Sequence, residues 1–197
     1  ISACLVGSEM CIRDSINIVR RILQDSGAEV VHLGHNRSVA EIVNAAIQEG
    51  AHAIAVSSYQ GGHMEFFKYL IDLLKLRGCG YVRVFGGGGG VIVPDEIREL
   101  EAYGVSKIFS SEDGKAIGLK GMISHMIRIA GDVIIPDVPM DSDAVLAKDP
   151  ALIGRLISAA ERSRFFKDRS FEAMRAFLKG IESSGQVVGI TGTGGSG

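Results

Sequence analysis

Four short runs rich in β-branched or aromatic residues, Glu29 to Leu33, Ala53 to Ser57, Tyr81 to Phe85 and Ser106 to Phe109, alternate along the chain with apolar patterns of helical period. Strands this apolar need cover on both faces, and the intervening helices supply it. The alternation therefore predicts an α/β fold with a doubly wound parallel sheet. The helices are expected at Ile16 to Ser26, ended by Gly27; from N-cap Ser38 to Gln48, with Glu41 completing a capping box; from about His63 to Leu76; from Pro94 to Tyr103; and from Asp113 to Ile129.

Such a sheet binds ligands outside the carboxyl ends of its strands. Four strand exits are legible: Gly34-His35-Asn36, then Ser57-Ser58-Tyr59-Gln60-Gly61-Gly62-His63, then the run Gly86-Gly87-Gly88-Gly89-Gly90, then Ser110-Ser111-Glu112-Asp113. Five consecutive glycines at a strand end imply a main chain kept bare for the approach of a bulky group. Hydroxyl-bearing and small residues on the same edge suit a large ligand with a polar tail. No HExxH, CxxC or GxSxG motif occurs.

Composition excludes some classes. The 197 residues carry a net charge of −2 and a mean hydropathy of +0.23, enough for one full core and without the basic footprint of a nucleic-acid or anionic-membrane binder. Cys4, Cys11 and Cys79 are an odd number without metal-ligand spacing, which suits a reducing cytoplasm. No apolar run reaches the roughly 20 residues of a spanning helix.

The wording of two exits carries a resemblance. Ser57-x-Tyr59 and the glycine run resemble the Ser-x-Leu and Gly-Gly elements of the cobalamin-binding domain of acyl-CoA mutases, and Ser-Ser-Tyr-Gln-Gly-Gly-His with the pentaglycine is most similar to the fused isobutyryl-CoA mutase branch. The similarity spans about residues 15 to 130. It implies a flavodoxin-like domain in which Ser57 hydrogen-bonds the buried base of the cofactor's nucleotide tail and Tyr59, where the family usually has Leu, lines the same slot. By the same resemblance Gly61, Gly62 and Gly86 to Gly90 let the tail pass, and Phe109 and Ser110 close the slot at the last strand. The parent enzyme would use adenosylcobalamin to interconvert isobutyryl-CoA and butyryl-CoA with an acyl-CoA substrate domain absent from this sequence. This chain alone is expected to be inactive.

The family's remaining motif, Asp-x-His-x-x-Gly, fails to match. At the family's spacing its Asp, His and Gly fall on Met10, Ile12 and Ser15. In the family that His coordinates cobalt, a role closed to Ile12, so no metal ligand is expected and cobalamin, if bound, is expected base-on. Either the domain binds without a protein ligand, or residues 1–15 are not native sequence, since they resemble translated sequencing-adapter DNA. The second is the expectation, although Ala3 to Val6 is apolar enough for a first strand. His35 is read as structural or solvated, His63 as the start of its helix beside the slot, and Cys79 as a small turn residue. His32, His52 and His125 are assigned no chemistry.

Beyond Gly131 the pattern changes. Residues 132–148 read as an extended linker after a binding domain at 16–131, and residues 149–197 as the start of a further domain. That part holds helices from Asp149-Pro150 to about Arg164 and from Ser170 to Ile181, a strand from Gln186 to Ile190, and a chain end that reads as cut. Gly192-x-x-x-x-Gly197, with Gly194, Gly195 and Ser196 between, is the glycine frame of a P-loop without its Lys-Ser/Thr. By resemblance it opens the G-protein chaperone domain of the fused branch, which implies GTP and Mg²⁺ in an intact homodimeric parent. Two other readings stay open: a cobalamin carrier or sensor module without mutase chemistry, and a flavodoxin-like domain holding a phosphate or flavin.

Overall fold

The computed structural model describes residues 2–7, 12–58, 61–87, 90–134, 140–166 and 169–181. Five strands form one parallel sheet: β1 (Ser2–Gly7), β2 (Glu29–Gly34), β3 (Ala53–Ser57), β4 (Arg83–Gly87) and β5 (Lys107–Phe109), in the order β2-β1-β3-β4-β5. That is the flavodoxin-like order, whose direction of winding reverses between β1 and β3.

The first run of the chain is a central strand. Ala3 pairs with Val30 of β2 and Ala53 of β3, and Cys4 with Val31 and Ile54, so the sheet is built across residues 2–7. Helix α1 (Ile12–Asp25) begins four residues before the position expected from periodicity and ends as expected, with Gly27 at φ +85°.

Helix α2 (Val39–Gln48) opens on the predicted capping box. Ser38 Oγ accepts the Glu41 N–H, and the Glu41 carboxylate accepts the Ser38 N–H at 2.9 Å. Helices α3 (His63–Leu76) and α4 (Pro94–Tyr103) coincide with their sequence periods. Helix α5 (Ser111–Gly131) bends at Gly118, whose φ of 63° and ψ of 174° leave the helical region. Only glycine adopts that conformation readily, and it turns the first two turns away from the rest.

Alternation along the strands fixes the two faces of the sheet. Cys4, Val6, Ile54, Val56 and Val84 face one way, into the larger core with Phe67, Leu70 and Leu100. Ala3, Leu5, Ala53, Ala55 and Phe85 face the other, into a smaller cluster with Ile16 of α1 and Met126 and Ala130 of α5.

The stretch read as an extended linker contains a short helix, α6 (Ser142–Leu146), because Asp141 Oδ1 accepts the N–H groups of Asp143 and Ala144. Helices α7 (Pro150–Phe166) and α8 (Arg169–Lys179) follow. Leu152 and Leu156 of α7 bury against Met174 of α8, and α7 also packs on α2. The expected strand Gln186 to Ile190 and the P-loop residues Gly192, Gly194, Gly195, Ser196 and Gly197 lie outside the described residues.

Candidate functional site

The glycine run divides into residues with different tasks. Strand β4 lies two residues later than its sequence pattern suggests, so Gly86 and Gly87 belong to the strand rather than to the loop beyond it. Gly86 pairs with Val56 and Ile108, and Gly87 with Ser57 and Phe109. A Cβ on Gly86 would stand 2.6 Å from Phe67 Cζ and collide with Ile108 Cδ1. Gly86 is therefore bare to admit the core of the other face, and its main chain also lines the cavity described next. Among the described residues, a Cβ on Gly87 would meet only the Phe109 carbonyl oxygen at 3.7 Å, and Gly87 leaves its face open.

That opening is the floor of a cavity of about 310 Å³ between the sheet and helices α1 and α5. Leu5, Ala55, Phe85 and Gly87 contribute from the strands, Ile16 and Val19 from α1, and Gly114, Leu119, Met122 and Met126 from α5. Ser57, Ser110 and Ser111 bring hydroxyl groups to its walls. Phe109 stacks on Phe85 with 6.5 Å between ring centroids and 23° between the ring planes, and packs edge-to-face with His125 at 6.0 Å.

Ser57 ends β3, half-buried, and lines this cavity together with a second one. Ser110 also lines the slot, but its hydroxyl caps α5. It donates to Asp113 Oδ2 at 2.9 Å and accepts the Asp113 N–H at 3.1 Å. The Ser110 N–H bond, above all, holds the Asp113 carboxyl below its usual range. Gly90 turns with φ +94° at the far end of the run. Tyr59, Gly88 and Gly89 lie outside the described residues.

The second cavity, about 140 Å³, occupies the opposite side of the carboxyl edge. It is lined by Asn36 and Arg37, by Ser57 and Ser58, and by Gly61, Gly62 and His63 at the start of α3. His63 is 8% exposed, and its Nε2 meets Glu96 Oε2 at 2.9 Å. The Val93 N–H and then His63 hold the Glu96 carboxyl below its usual range. Ile12 is the first residue of α1, and His35 is an exposed residue after β2.

Comparison with known proteins decides the family. The B12 binding domain family model matches residues 14–113 of the 197. The chain belongs to the B12-binding domain family. This B12-binding domain is 53% identical over 187 residues to the fused isobutyryl-CoA mutase of Geobacillus kaustophilus, covering 93% of this chain and 17% of that protein. It is likewise 53% identical over 183 residues to the fused isobutyryl-CoA mutase of Cupriavidus metallidurans, covering 93% of this chain and 16% of that one. The chain thus spans under a fifth of the length of these two fused mutases. A cobalamin-binding protein of known structure from Desulfitobacterium hafniense shares the fold, with a TM-score of 0.51 and 19% identity over 65% of this chain and 58% of that one. Among the described residues, no helix is long and apolar enough to cross a membrane.

Of the residues named from sequence, Ser57, Gly86, Gly87, Phe109 and Ser110 line the slot, Gly61 and Gly62 line the second cavity and Gly90 lines neither; Ala55, Leu5 and the α5 residues were missed. The missed signal is the alternation Ala53-Ile54-Ala55-Val56-Ser57, which puts small residues on one face of a buried strand.

Proposed function

We propose that this chain is the cobalamin-binding region of a cytoplasmic, homodimeric acyl-CoA mutase that interconverts isobutyryl-CoA and butyryl-CoA, and that the larger cavity receives the base of the cofactor's nucleotide tail. The observation that carries the reading is the slot itself. It is apolar, floored by Gly87 and Ala55, and edged by the Ser57 hydroxyl. An apolar cavity of about 150 Å³ suffices for benzene, so one of about 310 Å³ admits a two-ring aromatic base.

When bound, adenosylcobalamin supplies the cobalt–carbon bond whose homolysis starts the rearrangement. The chain's residues hold the tail. Ser57 hydrogen-bonds the base, Phe109 and Phe85 offer ring faces, Gly87 leaves room for entry, and the apolar walls exclude water. A base seated here would not be available to cobalt, so this reading differs from the sequence-based expectation of base-on binding. Ile12, at the family's histidine position, offers cobalt no lone pair. The substrate domain, and the GTP and Mg²⁺ of the chaperone domain that Gly192 to Gly197 would open, belong to the same proposal for the parent enzyme.

The test is equilibrium dialysis of the chain with hydroxocobalamin, followed by the absorption spectrum of the retained cofactor. Retention with a base-off spectrum that shows no imidazole signature supports the reading. Loss of retention in Ala55→Leu, with its melting temperature held or raised as the side chain fills the slot, supports it further. No retention by the unmodified chain, or a base-on spectrum, overturns it.

A further inference from the structure

The larger cavity carries an inference that rests on the cobalamin reading for its setting and on the cavity alone for its chemistry. Its inner wall is complete without a ligand. Leu5, Ala55 and Phe85 of the strands are 4%, 8% and 1% exposed, and Ile123 and Met126 of α5 are 2% and 8% exposed. The residues that enclose about 310 Å³ are thus themselves packed into the clusters on that face of the sheet. Walls fixed by their own packing keep their shape when the space between them is empty, and a ligand that enters has little left to order.

Polar groups are confined to one end. Among the described residues, the polar side chains that line the cavity are Ser57, Ser110 and Ser111, all at strand exits on the carboxyl edge. The Ser110 hydroxyl is committed, donating to Asp113 Oδ2 at 2.9 Å and accepting the Asp113 N–H at 3.1 Å. Half-buried Ser57 and exposed Ser111 are left to meet a heteroatom, both at that same end. The main chain of the floor is occupied as well: Gly86 is paired in the ladder with Val56 and Ile108, and the Gly87 carbonyl accepts the Ser58 N–H at 2.8 Å.

Water at the inner end meets no polar side chain among the described residues. An apolar cavity of about 150 Å³ stays dry and takes up benzene, so the larger space here suits a flat aromatic of two fused rings. A ring nitrogen at its outer end meets Ser57. One at its inner end loses its water and finds no donor, which is unfavourable. We propose that the slot is a receptor for free, neutral two-ring aromatics that carry their heteroatoms at one end only, bound without a corrin and in competition with the tail. Leu5, Phe85, Met122, Ile123 and Met126 are the residues that reject a polar inner edge.

The experiment is calorimetric titration of the full chain with benzimidazole and with purine, which share one shape and differ only in the nitrogens that purine adds to its six-membered ring. Both are uncharged at neutral pH. Benzimidazole is expected to saturate a single site, and purine to bind about tenfold more weakly or worse, because its added nitrogens stay unpaired. Ala55→Leu, which fills the slot, is expected to weaken benzimidazole at least about tenfold. No saturable binding of benzimidazole, or purine bound as tightly, overturns the proposal on the unmodified chain, whatever the variant does. So does full benzimidazole affinity in a folded Ala55→Leu. Competition is read with indole, which offers cobalt no lone pair: at about ten times its own dissociation constant it is expected to lower the apparent affinity for hydroxocobalamin about tenfold by mass action. Selective binding of the free aromatics with cobalamin affinity unchanged overturns the competition and, with it, the placement of the tail under the proposed function. Cobalamin retained by a chain that binds no free two-ring aromatic overturns the receptor alone.

Discussion

Two neighbouring glycines provide the sharpest test of how the site is built. Gly86→Ala places a methyl group 2.6 Å from Phe67 Cζ and against Ile108, side chains that are 0% and 1% exposed and have no free volume to enter. Overpacking of this kind costs about 1–3 kcal/mol. The stiffer unfolded chain returns about 0.4–1 kcal/mol of that. Neither glycine has a positive φ, so backbone strain adds nothing. A net loss of about 1–2 kcal/mol lowers the melting temperature of a chain this size by about 2–8 °C. Gly87→Ala adds its methyl to the slot floor with 3.7 Å to the nearest atom among the described residues, and is expected to keep the melting temperature within about 2 °C while weakening cobalamin retention. Calorimetry and dialysis on both variants are the assays. If Gly86→Ala melts with the unmodified chain, or if Gly87→Ala is the more destabilised of the two, the division of the run into a packing glycine and a slot glycine is wrong.

Three further outcomes are expected elsewhere in the fold. Gly154→Ala would bring a Cβ to 2.5 Å from the Gln48 carbonyl oxygen, so α7 should leave α2; faster proteolysis of residues 140–181 with an unchanged melt of the sheet is expected, and uniform destabilisation would contradict it. The capping carboxylates Glu41, Glu96 and Asp113 all sit below their usual pKa, held first by the N–H groups of Ser38, Val93 and Ser110. Their contribution is therefore complete above about pH 5 and lost as acid protonates them below about pH 4, and the triple variant E41Q/E96Q/D113N should show a flatter melting profile between about pH 5 and 3. Burial, with the charge of Glu49 second, pushes the Cys4 thiol up to about 12, so iodoacetamide at about pH 8 should spare Cys4 in the native chain and label it in urea; rapid native labelling would show that Ser2–Gly7 does not hold the centre of the sheet.

How much of this could be read from sequence follows from which forces were local. Strand β3 and helices α3 and α4 matched at both ends because their periodicity, breakers and caps agree. Strand β4 did not, because glycine reads as a strand terminator, whereas Gly86 and Gly87 are held in the ladder by β3 and β5 on either side. Tyr81 and Val82, with the better strand propensity, lie before the strand, and the Val82 N–H bonds the Cys79 carbonyl at 3.0 Å. The bend at Gly118 left no periodic trace, since apolar residues continue across it. The partner of His63 Nε2 was beyond sequence altogether, because Glu96 reaches it from 33 positions away.

The same long-range logic explains why the larger, apolar slot lies on one side of the sheet at this edge. In β3 the residues facing the larger core are Ile54 and Val56, while those facing α1 and α5 are Ala53 and Ala55. Helices of ordinary diameter laid over small residues leave a gap, and here Gly87 widens it at the carboxyl edge. On the opposite face Phe67 fills the place a side chain at position 86 would take. Closure of that face is thus the counterpart of the opening of this one, and Ser57, the last residue of β3, borders both the slot and the polar cavity beyond it. A ligand that filled both would be apolar and flat in the slot and polar where it crosses Ser57, which constrains its chemistry more tightly than either cavity does alone.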